Sequence, residues 1–176
     1  MLMNNITKIF IINTFFWVFL HFVVAFLFMR IPENIRLRAF NNKKKFFVVS
    51  EKEIRFYKKI YLPKWKDKLP QYNKGFNKRN LSEKISKEYL ELFINVTCQA
   101  EIVHYIIIPL GYLSVFFALL TNNPKYYFFI FVLIATFIGI SNMIFSFIQR
   151  YNRFRLDKLF LKKYNIDNNS VRLPIA

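Results

Sequence analysis

The sequence predicts an all-α integral membrane protein with three transmembrane helices, plus interfacial amphipathic helices in a basic loop. Two observations carry that prediction. First, no charged side chain interrupts Ile9–Met29, Ile102–Leu120 or Tyr126–Ile148. At 1.5 Å per residue these runs reach about 32, 28 and 35 Å, enough to cross the hydrocarbon layer, the last with some tilt. Second, the charge is segregated: the 176 residues carry a net +17 yet are 55% hydrophobic, and the basic side chains lie almost wholly between and after the runs. A soluble domain of this size could not bury such blocks, so the nucleic-acid reading that a basic chain invites is set aside.

The expected organisation is a single membrane domain over 1–176. Its spans lie at about 9–29, 102–120 and 126–148, with a loop at 30–101 and a tail at 149–176. A cleaved secretory signal is the rival reading of the first run. That run is too long for a typical signal core, and no small-x-small cleavage site precedes Arg30, so we expect a retained span. Asn13 and His21 stand eight residues apart near one face of it and are expected to meet other helices, not lipid.

The 30–101 segment holds 18 Lys or Arg against 8 Asp or Glu. Within it Glu51–Leu62 reads as a short amphipathic helix, with Ile54, Tyr57 and Tyr61 on one side and Lys52, Arg55 and Lys59 largely on the other, suited to a membrane interface. Prolines at 63 and 70 bracket Lys64–Leu69, which predicts an ordered loop or one short turn; Trp65 there suits the headgroup layer. Tyr72–Asn80 is polar and turn-rich. Ser82 caps a helix that runs on into the second span, which Pro109 should kink. Thr121–Lys125 is a tight turn. After the third span come an arginine cluster (Arg150, Arg153, Arg155) and a short amphipathic segment, Leu156–Tyr164, followed by a loose polar tail.

Three spans put the basic loop and the tail on one side, leaving only Lys8 and Lys125 on the other. The positive-inside rule then places the N-terminus outside and both basic segments in the cytoplasm of a multi-pass cell-membrane protein. The single cysteine, Cys98, excludes an internal disulfide and supports no cysteine-ligated metal site. Lys43-Lys44-Lys45 reads as a solvated or lipid-facing run.

Glu101 and His104 mark the start of the second span. Three residues apart on a helix, they share a face about one turn from each other. A histidine oriented by a carboxylate can take a proton from an attacking hydroxyl, as acyl transfer requires; the same spacing also serves a purely structural pair. Glu-x-x-His is half of a di-iron motif, but the second copy is absent, so no metal is expected. The arginines after span 3 suit the phosphates of a coenzyme or carrier, and equally the anionic headgroups that any basic exit meets.

The order of motifs resembles that of the glycosyl-4,4'-diaponeurosporenoate acyltransferases of staphyloxanthin-type carotenoid biosynthesis. The resemblance rests on Arg30-Ile31-Pro32, on Glu53–Lys59 leading to Trp65-Lys66-Asp67-Lys68-Leu69-Pro70, on Ala100-Glu101-Ile102-Val103-His104, and on Gln149-Arg150-Tyr151-Asn152-Arg153-x-Arg155. The chain departs from that pattern at Gln99, Tyr105 and Phe154, where such proteins usually carry arginine, tryptophan and proline. The resemblance implies transfer of a fatty acyl group to a sugar hydroxyl of a glycosylated carotenoid acid. His104 would be the base and Glu101 its orienting partner. Arg30, Trp65, Lys66, Asp67, Arg150, Asn152, Arg153 and Arg155 would bind substrate. It implies no bound cofactor, with acyl-CoA or an acyl carrier protein as co-substrate. The expected partners are membrane lipid, anionic headgroups and the lipid-like glycosylated acceptor, with no nucleic acid. The competing expectation is a non-enzymatic scaffold or lipid-binding protein of a biosynthetic complex.

Overall fold

The computed structural model describes residues 5–41, 43–69 and 86–164. The Ser82 cap, the Tyr72–Asn80 turn region and the polar tail lie outside these residues. Among those described, every regular element is helical, and three helices are long and apolar enough to cross a membrane. The elements are α1 (Asn5–Arg30), α2 (Glu33–Ala39), a 3₁₀ turn (Lys45–Phe47), α3 (Glu51–Lys59), α4 (Leu62–Trp65), a 3₁₀ turn (Lys66–Lys68), α5 (Lys87–Gly111) with a 3₁₀ continuation (Tyr112–Leu120), and α6 (Pro124–Tyr164). They sort into two units, residues 1–33 with 102–146 and residues 34–101 with 147–176.

In the first unit, α1 is apolar all round yet has two distinct faces. Its buried residues, Ile9, Asn13, Trp17, Leu20, Val24 and Phe28, recur at helical spacing and form one stripe. Phe15, Phe19, Phe22 and Phe26 remain more than half exposed on the other side, as a lipid-facing surface requires. Trp17, Leu20 and Val24 pack with Ile107 and Ala135, while Ile9 joins Ala118 and Phe131. Gly111 permits the closest approach: a Cβ there would lie 2.0 Å from the Trp17 ring. Pro109, which has no amide hydrogen, sits inside α5, and two residues later the α-helix gives way to nine residues of 3₁₀ helix. The expected kink is therefore a change of helix type.

In the second unit, α3 opens with a capping box. Ser50 Oγ accepts from the Glu53 amide, and the Glu53 carboxylate accepts from the Ser50 amide. Ile54 and Tyr57 are buried as their spacing predicts, but Tyr61 is 61% exposed. The reason lies in Pro63: it cannot donate to the carbonyl four residues back, so α3 stops at Lys59 and Tyr61 turns the chain with a left-handed φ of 54°. The proline-bracketed stretch then folds as the single turn α4 and a 3₁₀ turn. Leu90 and Ile94 of α5 pack with Leu156 and Phe160 of α6. The amphipathic segment expected at Leu156–Tyr164 is continuous with the third span, in one helix of 41 residues.

Candidate functional site

Each unit holds a polar centre built around residues singled out from the sequence. In the second unit, α5 presents Thr97 and Glu101 one turn apart, α6 presents Arg150 and Arg153, and α3 presents Glu53. The Lys45–Phe47 turn and the residue after it add the carbonyls of Phe46, Phe47 and Val48. Arg150 uses its whole guanidinium. Nε donates to Glu53 Oε1 (2.7 Å), Nη1 to Glu101 Oε1 (2.7 Å) and the Phe46 carbonyl (3.0 Å), and Nη2 to Glu53 Oε2 (3.2 Å) and the Val48 carbonyl (3.1 Å). Five donors meet five acceptors, the full capacity of the group. Arg153 donates to the Phe47 carbonyl (3.0 Å), to Thr97 Oγ1 (3.4 Å) and to the second oxygen of Glu101. Its guanidinium also lies 5.5 Å from the Phe47 ring centre.

Glu101 and Arg153 are fully buried. Two carboxylates and two guanidiniums make this a neutral quartet, the condition under which charges survive away from water. For Glu53, burial would raise the carboxyl pKa, but hydrogen bonds from Arg150 and the Ser50 amide, together with the Arg150 charge, outweigh it and hold the group below its ordinary value. Tyr57 donates to Glu53 Oε1 (3.3 Å), and burial with the Glu53 charge pushes its phenol up, so it stays protonated.

The first unit's centre is His104, half-buried, with its ring stacked 5.4 Å from that of Phe145 at 13°. His104 Nδ1 lies 3.0 Å from Asn142 Oδ1. The Asn142 amide nitrogen donates to the Ile138 carbonyl (3.0 Å), which turns its oxygen toward the imidazole. An amide oxygen only accepts, so Nδ1 carries the hydrogen, and Nε2 of the neutral ring holds the lone pair. That is the tautomer a general base needs. His21 is tied to the carbonyl of Trp17, one turn back (2.7 Å).

The residues singled out from sequence are thus distributed unevenly. Glu101, Arg150 and Arg153 come together, and the partners of Glu101 are these arginines; His104 is held by Asn142. Asn152 is buried and Arg155 exposed on α6. Trp65, Lys66 and Asp67 form a local set: the indole donates to the Ile60 carbonyl (3.0 Å), and buried Lys66 pairs with exposed Asp67 (2.6 Å). Arg30 is exposed, over the Phe26 ring at 4.7 Å. Gln99, one of the departures, accepts from Arg36 (3.3 Å). Sequence reasoning did not single out Glu53 or Asn142 as site residues. Glu53 is legible as a capping-box member but not as the partner of a residue 97 positions away. Asn142 had the plainer signal of an amide within an uncharged run.

Three helices of membrane-crossing length define a helical membrane protein, with one histidine and one arginine–carboxylate cluster among its polar groups. A family model described as glycosyl-4,4'-diaponeurosporenoate acyltransferase matches residues 36–162, and the chain belongs to that family of acyl-transfer enzymes. The match takes in Glu53, Glu101, His104, Asn142, Arg150 and Arg153. No curated protein and no solved structure matches the chain.

Proposed function

We propose that the protein esterifies a sugar hydroxyl of a glycosylated carotenoid acid with a fatty acyl group carried as a thioester, on acyl-CoA or an acyl carrier protein. The carrying observation is the contact of His104 Nδ1 with Asn142 Oδ1, whose amide nitrogen is held by the Ile138 carbonyl, in a chain of this family. The sugar hydroxyl gives its proton to Nε2 while its oxygen attacks the thioester carbonyl. The carbon–oxygen bond forms, the carbon–sulfur bond breaks, and the thiolate recovers the proton from Nε2.

In this reading Asn142 takes the orienting role that the resemblance implied for Glu101. Glu101 instead neutralises Arg150 and Arg153, which shape the second unit from within. Of the arginines singled out from the sequence, the exposed Arg155 and Arg30 are offered to the donor's phosphates or to anionic headgroups. Asn152 and the Trp65–Lys66–Asp67 turn are offered as contacts for the sugar. The charge pattern supports a cytoplasmic location for these groups in the cell membrane, with the N-terminus outside.

The test is acyl-glycoside formation by His104→Ala and Asn142→Leu at matched protein level, followed by mass spectrometry of lipid extracts. Loss of the base should cost about 10²- to 10⁴-fold in rate. Asn142→Leu should cost less, and Asn142→Asp, which keeps an acceptor toward Nδ1, should recover part of that loss. Full activity in His104→Ala would reject the base assignment.

A further inference from the structure

A second polar set lies inside the first unit, and the acyl-transfer chemistry does not use it. Asn13 is 3% exposed, Trp17 5% and Ser114 0%. Asn13 Oδ1, Trp17 Nε1 and Ser114 Oγ are each fully enclosed and have no hydrogen-bond partner among the described residues. All three belong to membrane-spanning helices, where water is not at hand and an unmet polar atom is most costly.

The helix register brings them together. The Trp17 ring sits directly against Gly111, and Ile9 clusters with Ala118, so α1 runs antiparallel to the 3₁₀ stretch. From Trp17 to Asn13 is one α-turn, about 6 Å of rise. From Gly111 to Ser114 is one 3₁₀ turn, also about 6 Å. Asn13 and Ser114 therefore fall at the same depth, on faces that the Trp17–Gly111 contact holds together. Gly111 and the small Ala118 both meet α1. The three free atoms are complementary: an indole N–H that only donates, an amide oxygen that only accepts, and a hydroxyl that does either.

We propose that Asn13, Trp17 and Ser114 bind one small neutral hydroxyl group within the membrane, supplied by a water molecule or by a lipid alcohol. The bound oxygen accepts from Trp17 Nε1 and its hydrogen goes to Asn13 Oδ1, with Ser114 Oγ completing its contacts. One hydroxyl thereby meets all three orphaned atoms.

Trp17 is its own reporter, since the chain has only two tryptophans and Trp65→Phe leaves it alone. The full-length variant, ¹⁵N-labelled at tryptophan, is placed in phosphatidylcholine nanodiscs, a lipid without hydroxyls, and the indole N–H proton is followed by NMR. A hydrogen-bonded, downfield indole proton with a cross-peak to water is expected if water fills the site. If an alcohol does, that signature appears only in nanodiscs made from the producing cell's own lipid, with cross-peaks to carbon-bound protons. An indole proton at its free position with neither cross-peak would overturn the proposal. So would a downfield proton without a cross-peak that Asn13→Leu shifts and Ser114→Ala does not, because that marks a direct side-chain bond. The cross-peak itself needs no substitution at the site, so a misfolded Asn13 or Ser114 variant leaves the test intact.

Discussion

Glu101→Gln removes one charge and almost no volume from a carboxylate whose two oxygens meet Arg150 and Arg153. The two arginines respond differently. Arg150 keeps Glu53, so it retains a counter-ion. Among the described residues Arg153 keeps only neutral acceptors, the Phe47 carbonyl and Thr97, and its side chain is 0% exposed. Breaking a buried pair from one side strands a charge and costs about 3–5 kcal/mol, a fifth or more of the roughly 5–15 kcal/mol that typically holds a fold. At about 2–4 °C per kcal/mol for a chain of this size, the melting temperature in detergent should fall by roughly 6–20 °C. The double variant Glu101→Gln/Arg153→Met removes the stranded charge as well and should recover much of the loss, a non-additivity read from a four-member thermal-shift cycle. An unchanged melting temperature together with abolished acyl transfer would refute this reasoning and return Glu101 to the chemistry.

Two further outcomes are expected. The depressed Glu53 carboxyl contributes stability that is fully present above its ordinary value near 4.5 and is lost as pH falls through the lower folded value; the acid-side decline in melting temperature should flatten in Glu53→Gln. Gly111→Ala drives a methyl into the Trp17 ring and should cost about 1–3 kcal/mol, seen as a lower melting temperature with a shifted tryptophan emission.

What could be read from the sequence followed from local rules. Runs without charge announce spans, the apolar spacing of Ile54 and Tyr57 announces an amphipathic helix, and Asn13 in an apolar helix announces a buried face. The site was legible to the extent that its members carry unusual chemistry for their position: Glu101, His104 and the arginine cluster all stood out. Their pairing was not legible. Eight acidic residues in the 30–101 segment offered partners to Arg150, and only tertiary folding selects Glu53 and Glu101. His104 and Asn142 are 38 positions apart, and an amide that orients an imidazole leaves no periodic trace. Hydropathy is equally blind to helix type, so the 3₁₀ stretch after Pro109 reads like any other apolar run.

That stretch bears on how the protein matches its bilayer. Nineteen uncharged residues from Ile102 to Leu120, wound wholly as α-helix, would reach only about 28 Å, several ångströms short of the about 32 and 35 Å of the other two runs. Winding the last nine as 3₁₀ helix, at about 2.0 Å per residue instead of 1.5 Å, lengthens this middle run to roughly 33 Å. The tighter helix thus adjusts hydrophobic length without adding a residue, and the shortest apolar run need neither thin the surrounding lipid nor draw charged flanks into it.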